Sequence, residues 1–322
     1  MNNKYYSPKE VEIAIKIFLK NHKFKRSADS IDDIEKFLAT LAESIKKGEF
    51  SATIIGKYIY NTITNKKSRK RKASAFNFEE LLADFFGGKL LDRNSRKAIS
   101  LTESNINNLD KEIIKRILRN KLEKGDLIIK DYILSVKTLV PSNKELNVGS
   151  FSSEALFKGF LKEVPQERLH LGSKPLLKKI LKKIESEGKW EAFVRRFNIM
   201  VNEIFVYDFI IGIKDDKILD VYLIDSNAFR KLLIDHVKRG PDTSIKLLNR
   251  FEAHALRIEL NKVLKRARHI KIELFGRSTK KLERLISISD KIRLDIIKKL
   301  CEYNDDRKVK EYLAKKRFND YF

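Results

Sequence analysis

A chain of 322 residues, 42% of them hydrophobic, is long enough for two or three domains and apolar enough to bury a substantial core. Its 69 lysines and arginines exceed its 44 acidic residues by 25, which favours a polyanionic partner such as nucleic acid; a basic membrane-surface or ribosome-associated protein is the alternative. Its one cysteine, Cys301, excludes an internal disulfide and a multi-cysteine zinc site.

Several other classes of protein are disfavoured by motifs that the sequence lacks. The five histidines show no pair at metal-ligand spacing, and there is no phosphate-binding glycine loop, dinucleotide fingerprint or nucleophile elbow. The chain also lacks a run of about 20 apolar residues and the apolar core of a signal peptide. We therefore expect a cytoplasmic protein with no membrane partner, whose chemistry depends on acidic residues and lysine.

Residues 1–65 are predicted to form a helical region. Ser7 and Ser30 stand at positions that favour helix starts, and a third helix opens at Phe50. Three short helices joined by polar turns are typical of a helix-turn-helix unit with the third helix as the reader. They are equally typical of helices that pack together for stability alone. Six of the seven residues from Lys66 to Lys72 are cationic, which predicts a solvated linker that can follow a phosphate backbone.

Residues 74–230 carry a mixed α/β pattern. A helix over Phe76–Phe86 places apolar residues on one stripe, with Glu79 at the edge of that stripe and Glu80 pointing away. Glu79 is thus the better candidate to approach a buried metal, although both glutamates also suit the first turn of any helix. Further helices are predicted over Leu109–Arg119, Ser152–Leu161, Pro175–Ile184 and Trp190–Ile204, and a hairpin over Phe205–Ile213 and Ile218–Ile224.

The most informative stretch is a second predicted hairpin, Gly125–Lys137. Two apolar runs flank the polar pair Lys130-Asp131, although the turn lacks the usual glycine. A two-residue loop at that pair sets Ile129 opposite Tyr132 and, further along, Asp126 opposite Ser135.

Alternation of side chains along a strand then places Lys137 on the same face as Ser135 and Asp126. Leu127, Ile129, Leu134 and Val136 point the other way, into a core. A carboxylate, a hydroxyl and an ammonium therefore converge, and such a group can hold a divalent metal and orient or help to activate water.

These residues resemble the motif of the PD-(D/E)xK nuclease superfamily, which includes most type II restriction endonucleases. The matching residues are Asp126, the tripeptide Ser135–Lys137 and the upstream helix with Glu79, which together cover about a quarter of the chain. Where Ser135 stands the family usually has Asp or Glu. A subgroup of restriction enzymes carries Ser or Thr there and takes its second carboxylate from a helix downstream. Glu154 suits that role at a somewhat longer spacing, and Glu145 is its competitor.

The resemblance implies an α/β (α+β) fold with a mixed central sheet flanked by helices, restriction-endonuclease-like, and helical N- and C-terminal regions. It also implies Mg²⁺-dependent hydrolysis of DNA, with Asp126, Glu154 and Glu79 as metal ligands. Lys137 would orient or deprotonate water, and Ser135 would donate a hydrogen bond. A restriction enzyme of this kind would act on double-stranded DNA as a homodimer and would have a companion DNA methyltransferase.

Residues 231–322 are expected to be helical and basic, and with the N-terminal region they would supply phosphate contacts and base readout. His254 is weighed there against a structural role. Two alternatives stay open: another nuclease of the superfamily from repair or a mobile element, or a non-enzymatic basic helical DNA- or RNA-binding protein. The residues expected to contact DNA are Lys70, Arg71, Lys72, Arg93, Arg96, Ser150, Ser152, Arg250, His254 and Arg257.

Overall fold

The computed structural model describes residues 6–64, 78–90, 125–151, 153–161, 173–215, 217–252, 255–274, 290–303 and 306–315. The helices are α1 Pro8–Asn21, α2 Ile31–Lys47, α3 Phe50–Thr64, α4 Phe78–Phe86, α5 Ser153–Phe157, α6 Lys174–Ser186, α7 Trp190–Ile204, α8 Ser226–Lys238, α9 Pro241–Ser244, α10 Leu260–Leu264, α11 Asp290–Tyr303 and α12 Asp306–Lys315. The strands are β1 Lys89–Leu90, β2 Leu127–Ile129, β3 Tyr132–Leu139, β4 Glu145–Ser150, β5 Asp208–Lys214, β6 Ile218–Ile224, β7 Leu248–Glu252, β8 Ala255–Glu259 and β9 Arg268–Glu273.

Two sheets organise these elements. Sheet A has six strands in the order β1-β2-β3-β5-β6-β9, and sheet B has three in the order β4-β8-β7. Within sheet A, β3 and β5 are parallel and the other neighbours are antiparallel. The fold is therefore mixed α/β with a mixed sheet flanked by helices, as the sequence predicts.

Helices cover both faces of sheet A, because its strands alternate between two apolar cores. Leu134 and Val136 join a core with residues of α1–α4, β9 and α11. Phe209 and Ile211 of β5 join the other core, which contains residues of α5–α8 and the inner face of sheet B. The first core takes residues from 1–65, 74–230 and 231–322 alike, so these three ranges share a core instead of each burying one of its own.

The N-terminal helices start where the sequence predicts. Ser7 and Glu10 form a reciprocal capping box at α1, and Ser30 and Asp33 form one at α2, so each pair satisfies amides of the first helical turn. The interpretation of α3 as a DNA reader is wrong. Residues 50–57 of this helix are all buried, so the helix has no exposed face to place in a groove.

The C-terminal range contains strands as well as helices, which corrects the expectation of a helical region. In β8, Leu256 and Ile258 are buried between less buried neighbours, and in β9 Ile270 and Ile272 alternate with exposed His269, Lys271 and Glu273. This period of two is the signal of a half-buried strand.

Other predicted elements have different outcomes. The second hairpin and the helix over Trp190–Ile204 are confirmed, and α5 is shorter than the predicted Ser152–Leu161. The predicted helix over Leu109–Arg119 and the basic run Lys66–Lys72 lie outside the described residues. Within the described part of the chain, no helix has the length and apolarity needed to cross a membrane.

Candidate active site

The β2–β3 hairpin has the register that the sequence predicts. Ile129 pairs with Tyr132, Ile128 with Ile133 and Leu127 with Leu134. Leu127, Ile129, Leu134 and Val136 are all at most 2% exposed, in the core shared with α4. The opposite face of β3 consequently carries Ser135 and Lys137, whose partners in the parallel ladder are Phe209 and Ile211 of the second core.

Asp126 is the centre of a buried polar cluster on this face. Its Oδ2 atom accepts hydrogen bonds from Ser135 Oγ at 2.9 Å, from the Val136 amide at 2.8 Å and from Lys137 Nζ at 2.9 Å. We call Asp126, Ser135 and Lys137 the hairpin cluster. The predicted convergence of the three side chains is thus confirmed, and the backbone amide of Val136 is a third donor that the sequence did not indicate.

Burial differs sharply within the hairpin cluster. The side chain of Asp126 is 4% exposed, whereas that of Lys137 is 25% exposed. A buried carboxylate has to be compensated by hydrogen bonds and charge, which these three donors provide. Lys137 alone of the three combines a fixed position beside the carboxylate with access to solvent, so it can meet a water molecule or a phosphate.

Gly125 allows the first residue of the cluster to approach β3. A Cβ atom on Gly125 would lie 2.2 Å from Ile133 Cγ2 and 2.9 Å from the Leu134 carbonyl oxygen. That same carbonyl accepts the Asp126 amide at 2.7 Å. Sequence reasoning missed the role of Gly125; the signal was a glycine directly before the candidate carboxylate.

Tyr132 fixes the other end of β3. Its hydroxyl donates to Asp208 Oδ2 at 2.7 Å, and the Ser226 amide donates to Asp208 Oδ1 at 2.6 Å. Burial, followed by the neighbouring Asp208 carboxylate, raises the pKa of Tyr132 well above its usual range. Tyr132 therefore remains a hydrogen-bond donor that ties β3 to β5, and it was not foreseen from the sequence.

Comparison of the chain with protein-family models, with curated proteins and with solved structures gave no match.

The carboxylates expected to complete a metal site lie on different elements. Residues of α5, the helix of Glu154, pack in the second core, on the side of sheet A that Lys137 faces; the Glu154 side chain is outside the described residues. Half-buried Glu79 starts α4, whose apolar residues pack in the first core, on the other side of the sheet. Glu145 lies in β4, where its Oε2 atom is 3.1 Å from Arg250 Nη2. As metal ligands, all three stay predictions.

Asp126 suits a hard cation as one oxygen ligand. Among the described residues, no three His, Cys, Asp or Glu side chains form a metal-binding group. Mg²⁺ does not need one, because it keeps several waters and commonly takes one or two carboxylates plus substrate phosphates. A cation bound by Asp126 would share that carboxylate with the three donors of the hairpin.

The residues predicted to contact DNA are only partly within the described chain. Arg250 lies in β7 and Arg257 in β8, both half-buried, and the backbone of Ser150 ends β4. The remaining predicted contacts, Lys70, Arg71, Lys72, Arg93, Arg96, Ser152 and His254, lie outside the described residues.

Proposed function

We propose that the protein is a Mg²⁺-dependent endonuclease that hydrolyses phosphodiester bonds of double-stranded DNA, as a type II restriction enzyme does. The hairpin cluster is the observation that carries this proposal. A buried carboxylate and a partly exposed ammonium 2.9 Å apart stand at the positions in which the sequence resembles the PD-(D/E)xK nucleases. The mixed sheet flanked by helices and the charge of +25 also support it.

Each residue of the hairpin cluster has a proposed task. Asp126 holds the cation, with Glu154 as the second carboxylate and Glu79 as an outer ligand. Ser135 donates a hydrogen bond that orients Asp126. Bound Mg²⁺ would polarise the scissile phosphate and stabilise the departing oxyanion.

Lys137 is the residue proposed to act on the reacting atoms. Its ammonium orients the attacking water towards phosphorus and offsets the negative charge that develops on the pentavalent phosphate. The water oxygen forms a bond to phosphorus, the bond to the leaving oxygen breaks, and that oxygen ends with a proton from solvent. The hydrogen bond to Asp126 keeps Lys137 in place throughout, so the residue need not be ordered during the reaction.

The biological setting is proposed on the same basis. A palindromic site cut in both strands requires two copies of the site chemistry, which a homodimer supplies by symmetry. A restriction enzyme would act in the cytoplasm and have a companion DNA methyltransferase to protect its own sites. A repair or mobile-element nuclease with the same chemistry would differ in substrate preference, and a non-enzymatic binding protein would not cut at all.

Incubation with supercoiled plasmid and Mg²⁺ tests the function. Discrete fragments are the expected result, and Asp126→Ala should abolish them while retardation of DNA in a gel persists. Asp131→Ala, which removes an exposed carboxylate from the turn of the same hairpin, is the matched control and should cut normally. Retardation without cutting in any divalent metal would show a binding protein, and cutting by Asp126→Ala would remove the hairpin cluster from consideration.

A further inference from the structure

The outward face of sheet B carries a row of polar side chains across its three strands. Asn147 of β4 pairs with Arg257 of β8, and Arg257 in turn pairs with Arg250 of β7. We call these three residues the polar row. Leu146, Val148, Leu256 and Ile258, which flank Asn147 and Arg257 in β4 and β8, are buried in the second core. The polar row therefore lies on the opposite, solvent-facing side of the sheet.

The composition of the polar row is unfavourable for the protein alone. Arg250 and Arg257 are like charges on directly paired positions, an arrangement that destabilises a sheet. Glu145 offsets one of them through its ion pair with Arg250 Nη2 at 3.1 Å. Two guanidinium groups on one exposed face are compensated further when a polyanion covers them.

Asn147 is held in a fixed orientation. The Gly149 amide donates to its Oδ1 atom at 2.9 Å, although the residue is exposed. A preorganised amide side chain loses less freedom when it binds a ligand. Asparagine and arginine are also the side chains that make paired hydrogen bonds with adenine and guanine edges in the major groove, which admits β-structure.

We propose that the polar row reads base edges in the major groove of a DNA duplex, with Asn147 and Arg257 as readers and Arg250 positioned by Glu145. This inference rests on the proposed function, since it assigns the sequence recognition of that nuclease. The β4 strand runs from the β3 strand of Lys137 to the α5 helix of Glu154, so recognition and chemistry would share one continuous segment.

Selection of preferred sequences from randomised duplex DNA, by the full chain in Ca²⁺, tests the proposal through binding alone. Arg257→Ala should lower the preference at one base pair by about 5- to 150-fold, the range for one bidentate contact. Arg257→Lys keeps the charge but not the fork, so it should lose the same preference while the salt dependence of binding stays unchanged. Asn147→Ala should relax a different position, and Arg195→Ala, an exposed cation on α7 whose side chain is 73% exposed, should relax none.

The outcomes separate this inference from the nuclease proposal. If Arg257→Ala weakens binding to all sequences equally and lowers the salt slope by about 1, Arg257 contacts phosphate and the reading role is overturned. Unchanged preferences in both Asn147→Ala and Arg257→Ala, or no preference in the wild type, also overturn it, whatever the plasmid assay shows. Altered preferences in a protein that never cuts would support the polar row and contradict the nuclease. Thermal unfolding confirms that each variant is folded, and Arg257→Lys serves if Arg257→Ala is not.

Discussion

At the residue scale, one carboxylate oxygen organises the candidate site. Oδ2 of Asp126 accepts a side-chain hydroxyl, a backbone amide and an ammonium, and all three donors come from consecutive residues of β3. A loss of any one donor leaves a buried carboxylate less well compensated. Changes here therefore affect stability as well as chemistry, and experiments have to measure both.

Replacement of Lys137 by alanine should lower the rate of plasmid cleavage about 10²- to 10⁴-fold, the range for a residue that assists a reacting water. DNA affinity and its salt dependence should stay close to wild type, because the ammonium is directed at Asp126 and not at the flanking backbone. Single-turnover cleavage and binding titrations at several salt concentrations measure the two effects. Lys130→Ala, an exposed lysine in the turn, is the control. A wild-type cleavage rate in Lys137→Ala would contradict the role.

Glu154→Ala and Glu145→Ala distinguish the two candidates for the second carboxylate. Loss of cleavage with retained binding is expected for Glu154→Ala only. Glu145 already has an ion pair with Arg250, so Glu145→Ala should disturb sheet B and leave the rate constant within a few-fold of wild type. Parallel Mg²⁺ titrations of cleavage measure the loss, and a defect confined to Glu145→Ala would move the ligand to β4.

At the element scale, the β2–β3 hairpin turns without a glycine. Lys130 adopts φ 54°, in the left-handed region, whereas Asp131 beside it does not. This conformation costs an ordinary residue about 1–2 kcal/mol relative to a right-handed one. The ion pair of Lys130 with Asp29, at 3.2 Å between two exposed side chains, offsets little of that cost.

Lys130→Gly should therefore raise the free energy of unfolding by about 0.5–1 kcal/mol, the relief of strain less the greater backbone freedom of glycine. Asp131→Gly removes a side chain where no strain exists, so it should lower stability. Urea unfolding of both variants beside the wild type gives the comparison. Equal effects of the two changes would show that the turn is unstrained.

The sequence predicts this hairpin well because its register depends on nearby residues. The polar pair at the turn and the alternation of Leu127, Ile129, Leu134 and Val136 determine which side chains meet, and the hairpin cluster follows from them. The polar row could not be predicted in this way. It requires β4 to pair with β8, an association of distant segments that no local pattern specifies.

Two errors have equally physical causes. The helical pattern of α3 was read as compatible with a DNA reader, but its apolar residues lie on nearly every side and signal a buried helix instead. The strands β7 to β9 were assigned to a helical region because charged residues dominate their composition. Their alternation, which places only every second residue in the core, was the better signal.

At the scale of the whole molecule, the first and penultimate described helices are joined in the core. Arg293 of α11 contacts Glu10 of α1 through Nε–Oε1 at 2.5 Å and Nη2–Oε2 at 3.3 Å, and their side chains are 4% and 1% exposed. Glu10 also accepts the Ser7 amide that caps α1. Removal of one partner leaves the other as a buried charge, which typically costs about 3–5 kcal/mol.

Cys301 in α11 reports on this contact. Burial raises the pKa of its thiol to about 12, so near neutral pH the folded protein holds an inaccessible thiol that alkylating reagents should label slowly. Arg293→Ala should accelerate labelling by iodoacetamide at least about 100-fold, because a loss of 3–5 kcal/mol raises the open population by that factor or more. Arg307→Ala, which breaks only an exposed pair on α12, is the control and should label at the wild-type rate.

The same thiol should make stability depend on alkaline pH. Between about pH 9, where an ordinary thiol ionises, and pH 12, the unfolded chain releases the proton and the folded chain keeps it. The free energy of unfolding should therefore fall as pH rises through this window. Urea unfolding of Cys301→Ala beside the wild type checks the sign, since the variant should lose less stability over the same range.

The Glu10–Arg293 pair also has a consequence for biosynthesis. The two residues are 283 positions apart, and a ribosome adding about 5–20 residues per second needs about 15 to 60 s to reach the arginine after the glutamate. Throughout that interval the nascent amino-terminal helices can collapse but cannot neutralise their acidic side chain. Chains released early would thus carry an unmatched acid where the finished protein has a closed interior, which marks them for aggregation or proteolysis.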